Sequence, residues 1–190
     1  MHLCNLLPLA FVAAIGVGCS KTPEPASSAT VWLDAARMQA NDWIKTNQPW
    51  LSREGSRRHT QWLSGHYTQV SYTLVQRSHG LVEDNSCNQL PIRIQVFDDR
   101  VRAATYAATA LPLCERGYPV NLNLYQFKLL TPTDMFDLIQ DAATGDPVKT
   151  GNCLQVQFDE STGLPTELSK ACTWIFDGGW SANITEISVH

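Results

Sequence analysis

No two cysteines of this chain stand close together in the sequence; the nearest pair of the four that follow Cys19, Cys153 and Cys172, is separated by 19 positions. A zinc site built from cysteines needs pairs two to four residues apart so that both sulfurs reach one ion. None of His59, His66 and His79 has the His-Glu-x-x-His spacing of metalloproteases either. No Gly-x-Ser-x-Gly elbow is present, and the run at residues 178–183, "GGWSAN", lacks the glycine that should follow the serine. A Cys-x-x-Cys redox pair is missing as well. Asp159 and Glu160 precede "STG" without the regularly spaced oxygens of a calcium loop. These absences argue against metal, serine-nucleophile and thiol-redox chemistry, and no catalytic residue, metal ligand or cofactor-binding residue is assigned. Basic charge is scarce too: 14 Lys and Arg against 18 Asp and Glu leave a net charge of −4, so no concentrated cationic face is expected for nucleic acid.

The longest apolar run, "LLPLAFVAAIGV" at residues 6–17, is too short to span a bilayer and suits the core of a signal peptide. Gly16, Val17, Gly18 and Cys19 follow, and this resembles a bacterial lipoprotein lipobox, although Gly16 stands where Leu is usual and no Lys or Arg precedes the apolar core. The resemblance implies that Cys19 is acylated and becomes the new N-terminus. Ser20 beside it favours the outer membrane, with a secreted or soluble periplasmic protein as the alternative. The next stretch, "SKTPEPASSAT", reads as a polar tether. The expected organisation is therefore a signal peptide at 1–18, an anchor and tether at 19–30, and one domain at 31–190, a length that buries a real core.

Export sets the reading of the remaining thiols. Cys87, Cys114, Cys153 and Cys172 form an even set in an oxidising compartment, so two disulfides are expected from three connectivities. One staple per hairpin, Cys87 with Cys114 and Cys153 with Cys172, is the simplest. It carries a conflict: Leu154, Val156 and Phe158 share parity with Leu168 and Cys172, so a regular ladder aims Cys153 away from the core. A bulge near residues 169–171 is the expected remedy.

Periodicity supplies the elements. "VWLDAARMQANDWIKTN" places Trp32, Ala36, Ala40, Trp43 and Ile44 near one helical face, with Ser28 or Thr30 as cap and Asn47 and Pro49 as the stop. "QPWLSREGSRRHTQWLSG" reads as irregular or briefly helical, with Arg53, Arg57, Arg58 and His59 on a solvated loop. "YTQVSYTLVQR" and "PIRIQVF" alternate as half-buried strands, the latter turning at residues 98–100 into "VRAATYAA". "TPTDMFDLIQDA" is an amphipathic helix capped by Thr131 or Thr133. A second hairpin is expected to turn at "DESTG", and "SANITEISV" is the last strand. The order predicts a single α+β domain: a mostly antiparallel sheet of two hairpins plus flanking strands, an N-terminal helix and a short helix between the hairpins.

"WLSGHYTQVSYTLVQRS", "PIRIQVFDDRV", "TPTDMFDLIQDA", "VQFDESTGLPTEL" and "DGGWSANITEISV" occur in an order that resembles a family of exported, often lipid-anchored bacterial proteins, domain of unknown function 6174. The resemblance covers about residues 62–189 and is most specific at Phe158, Asp159, Gly163, Leu164 and Pro165. Members typically carry a close cysteine pair after the first strand, where this chain has only Cys87, so the family's disulfides do not transfer. The resemblance implies a compact exported α+β domain and supplies no reaction. The expectation is a non-enzymatic, lipid-anchored envelope protein that binds a protein or peptide partner. The alternative is a small hydrophobic or cell-wall ligand in a groove lined by some of the six tryptophans.

Overall fold

The computed structural model describes residues 28–78, 90–108, 115–120, 130–147, 153–170, 172 and 179–190. Cys19, Cys87 and Cys114, the expected lipid site and the expected first staple, lie outside the described residues. Helices α1 (Ser28–Thr46) and α2 (Gln48–Ser64) lead into strands β1 (Gln69–Ser78), β2 (Ile92–Phe97) and β3 (Arg100–Tyr106). Helix α3 (Pro132–Thr144) follows, then β4 (Leu154–Phe158), β5 (Pro165–Lys170) and β6 (Trp180–Val189). The six strands form one sheet in the order β3-β2-β1-β6-β5-β4, antiparallel throughout. This is the expected α+β class. The two strands that flank the hairpins in sequence, β1 and β6, pair at the centre of the sheet.

Alternation explains which face is buried. Val70, Tyr72 and Leu74 of β1 face the helices with Ile92, Ile94 and Val96 of β2, all at 3% exposure or less. Register carries that face across the sheet, from Leu74 opposite Ile184 to Ala182 opposite Leu168 and Val156 opposite Leu168. Met135, Phe136 and Ile139 of α3 and Leu51 of α2 close the same core. The Tyr72 hydroxyl donates to the Leu130 carbonyl at 2.6 Å, tying the central strand to the entry of α3. Burial pushes that phenol well above its ordinary range.

The second stretch of the chain departs from expectation. Residues read as irregular or only briefly helical form the full helix α2, with α1 ending at Thr46, Asn47 at the N-cap of α2 and Pro49 in its first turn. Its buried stripe is Leu51, Gly55 and Arg58, with Trp62 partly buried one turn on. That spacing is helical, but a glycine and an arginine occupy two of the positions. Gly55 is required because α3 crosses there: a Cβ on it would lie 2.7 Å from Ile139 Cγ2. Helix α1 begins at Ser28, so residues 28–30, expected in the tether, are its first turn. Its buried side includes Ala40 and Trp43, and the Trp43 indole N–H has no acceptor among the described residues.

Helix α3 starts with a complete capping box. The Asp134 amide donates to Thr131 Oγ1 at 3.1 Å, and the Thr131 amide donates to Asp134 Oδ2 at 2.9 Å. Thr131, not Thr133, is the cap. The β2–β3 hairpin closes through Asp98 and Asp99, both with positive φ, as a two-residue turn of this kind requires. The turn brings Asp99 Oδ1 to accept from the Thr133 amide at 3.3 Å.

Candidate functional site

The far end of the sheet, where β4 and β5 meet α2, gathers the features the sequence singled out. Cys153 and Cys172 form a disulfide with Cα atoms 5.2 Å apart, and both are buried. The expected staple is present. The regular β4–β5 pairing begins only at Leu154 opposite Lys170, so Cys153 lies beyond the ladder and is released from its alternation. Within the described ladder the irregularity falls between Gln157 and Phe158, beside the turn, while Ser169 and Lys170 pair regularly; Ala171, the last residue of the expected bulge, lies outside the described residues.

The turn itself is held by Asp159. Its Oδ1 accepts from the Ser161 amide at 3.1 Å and hydroxyl at 2.6 Å, and from the Thr162 amide at 2.7 Å and hydroxyl at 2.8 Å. Those donors, the Ser161 hydroxyl first, hold the Asp159 carboxyl below its ordinary range. Gly163 is in the left-handed region at φ 81°, and a Cβ there would lie 2.7 Å from the Arg58 carbonyl oxygen. The turn therefore sits directly on α2.

Arg58 fixes that contact. Its side chain is 6% exposed and donates to Glu54 Oε1 at 2.8 Å, Glu160 Oε1 at 2.7 Å and Gln61 Oε1 at 3.2 Å. The guanidinium also lies 5.8 Å from the Phe158 ring centroid. Gln61 Nε2 donates to the Glu160 and Ser161 carbonyls at 2.8 and 3.1 Å. Hydrogen bonds from Arg57 and then Arg58 hold Glu54 down at about 2. The basic run expected on a loop thus divides: Arg58 turns inward, Arg57 pairs with Glu54 at the surface, and His59 stacks on Phe136 at 4.5 Å. No histidine joins Asp159 and Glu160 among the described residues. Every partner of Arg58 belongs to the fold, so its role is to anchor the turn.

Beside this anchored hairpin, a groove of about 360 Å³ runs along the outer edge of β4, lined by Asn47, Trp50, Leu154, Gln155, Val156, Gln157, Glu167 and Ser169. Among the described residues no strand pairs with that edge. Trp50 is 43% exposed there. Two other described tryptophans lie elsewhere. Trp43 is buried in the core, and Trp62 packs on Tyr67 at 4.9 Å in a separate cleft.

The sheet face away from the helices, free of helix among the described residues, continues the groove. Register aligns Gln155, Ser169, Ser181 and Arg77 in one row across β4, β5, β6 and β1, and Gln157, Glu167, Asn183 and Val75 in the next. Gln157 Nε2 donates to Glu167 Oε2 at 2.8 Å. Further along, a bulge in β6 puts Glu186 at φ 54°, where it accepts from Thr73 Oγ1 at 2.7 Å and Arg93 Nη2 at 3.0 Å. Thr73 first and Arg93 second lower the Glu186 carboxyl below its ordinary range. The sequence displayed these polar residues, but which of them share a row depends on strand order and register, which it did not.

No helix among the described residues is long and apolar enough to cross a membrane. Nor does any group of His, Cys, Asp and Glu among them have the geometry to hold a metal ion. A family model described as "Family of unknown function (DUF6174)" matches residues 58–170. The match opens at Arg58 and includes the turn that Arg58 holds. No curated protein and no solved structure matches the chain.

Proposed function

The chain belongs to the DUF6174 family, whose function is unknown, and from that premise we propose that it is a non-enzymatic module that binds a protein or peptide partner. One observation carries the reading. The sheet face turned away from the described helices bears two cross-strand rows of mainly polar side chains that run from central strand β1 to the outer edge of β4. Neighbouring side chains on one face of a pleated sheet are a few ångströms apart and rigidly spaced, which suits recognition of an extended surface more than enclosure of a metabolite. The helices and both hairpin anchors serve to hold that face rigid.

Residues 6–19 add the place of action: a signal peptide followed by acylated Cys19, with the outer membrane of a bacterium as the anchoring surface. A domain held by a short tether presents its open face to envelope proteins without needing a large affinity of its own. Cys19→Ser should move the protein from the membrane to the soluble fraction, and unchanged fractionation would remove the anchor.

The binding reading is tested by affinity capture from envelope extracts. Wild-type protein should retain a reproducible partner that Ser169→Arg and Ser181→Arg, both on the helix-free face, lose while circular dichroism stays native. No partner, or one retained by both variants, would overturn the reading.

A further inference from the structure

Resting on that binding reading, we infer that the partner docks as an extended strand added to the outer edge of β4, with a basic side chain directed to Glu167. The two ends of the sheet are treated differently. The β3 edge is occupied by the chain itself: Thr105 pairs with Pro119, the Tyr106 amide donates to the Tyr118 carbonyl at 3.1 Å and the Val120 amide to the Ala104 carbonyl at 2.9 Å. The β4 edge receives no such cover among the described residues. Its sequence, "LQVQF", also lacks the lysine, proline or inward charge by which bare edges are usually blunted.

The strand is short, yet fixed at both ends. The Cys153–Cys172 disulfide clamps its start, and the turn after Phe158 is seated on buried Arg58. A template held in its final shape loses little conformational entropy when a strand pairs with it, which favours addition of a peptide. The groove along the edge gives that peptide room, and half-exposed Trp50 offers an apolar surface for one of its side chains.

Charge selects the occupant. Glu167 is the one charged residue among those lining the groove, so a strand with Lys or Arg toward the helix-free face is complementary. A second copy of this chain fits worse. Its β4 brings Leu, Gln, Val, Gln and Phe, with no cation for Glu167.

The test uses the purified full chain and a pool of acetylated, amidated heptapeptides of Thr and Val, with Lys, Glu or Leu at three varied positions. Lys-containing members should bind saturably, quench Trp50 fluorescence and protect the Gln155 or Gln157 amide from hydrogen exchange. Alternate N-methylation of the peptide should abolish this. Glu167→Lys should shift the Kd ratio between Lys and Glu peptides by about tenfold or more toward Glu. Binding that survives N-methylation, a ratio unmoved by Glu167→Lys, or no binding by any member would overturn the strand-docking inference. So would a dimer in sedimentation that Trp50→Ala dissolves. A captured envelope partner that the Ser169 and Ser181 variants lose would in those cases leave the broader binding reading standing.

Discussion

Replacing Arg58 separates the charge of the buried guanidinium from the packing of its stem. In Arg58→Met the aliphatic chain still lies against Phe158, but the hydrogen bonds to Glu54, Glu160 and Gln61 are lost. Glu160 is 87% exposed and rehydrates, so its pair is worth at most about 1 kcal/mol. The bond to the more sheltered Glu54 is charge-assisted and worth about 1.5–3 kcal/mol, and Glu54 retains Arg57. Arg58→Met should therefore cost about 2–3 kcal/mol. Arg58→Ala, which also removes a buried stem, should cost about 1–2 kcal/mol more. The pH dependence has a definite sign. Glu54 is held at about 2 against an ordinary 4.5, so its contribution is full above 4.5 and is lost as pH falls toward 2. The gap between wild type and Arg58→Met should narrow over that window. Urea denaturation followed by tryptophan fluorescence, at pH 7 and at steps down to about 2.5, measures both effects. A Met variant within about 0.5 kcal/mol of wild type, or a gap constant across the window, would refute the assignment of Arg58 as the anchor of the turn.

Three further perturbations probe the scaffold. Gly55→Ala should destabilise by about 1–3 kcal/mol, because the 2.7 Å approach of Ile139 Cγ2 outweighs a helix-propensity gain of about 1 kcal/mol. Ile139→Leu, which removes that methyl, should recover part of the loss in the double variant, as thermal melts will show. Thr131→Ala deletes one arm of the α3 capping box and should cost about 1 kcal/mol in chemical denaturation. Cys153→Ser with Cys172→Ser opens a loop of sequence separation 19 and should cost about 3 kcal/mol in urea denaturation.

What the sequence revealed follows from where its periodicity was carried by apolar side chains. The strands at Val70, Tyr72 and Leu74 and at Ile92, Ile94 and Val96 alternate plainly, and the Thr131 to Ile139 pattern announces a capped helix. The cysteine staple was legible because a turn signal sits between its two members. Helix α2 was read as irregular or only briefly helical because its inward stripe uses Gly55 and Arg58, residues whose composition signals a solvated loop. Their burial depends on partners far along the chain, Ile139 for the glycine and the 159–163 turn for the arginine. The parity conflict at the staple is eased because parity constrains only residues inside the ladder, and Cys153 falls just outside it. Trp50 stood out only as one of six tryptophans able to line a groove, and Glu167 had no signal, since the groove they share is made by strand order. The pairing of β1 with β6, which builds the open face, joins residues more than a hundred positions apart in sequence, as with Thr73 and Glu186 at a separation of 113.

The central claim is that a partner is bound at the β4 edge and the helix-free face. Its most direct measurement is site-specific photocrosslinking in the native host, with benzoylphenylalanine placed at Gln157 on the outer edge strand and, for comparison, at Thr60 on the exposed side of α2. A discrete adduct from position 157 that is absent from position 60, and that Glu167→Lys weakens, is the predicted result. Equal adducts from both positions, or none from position 157, would contradict it.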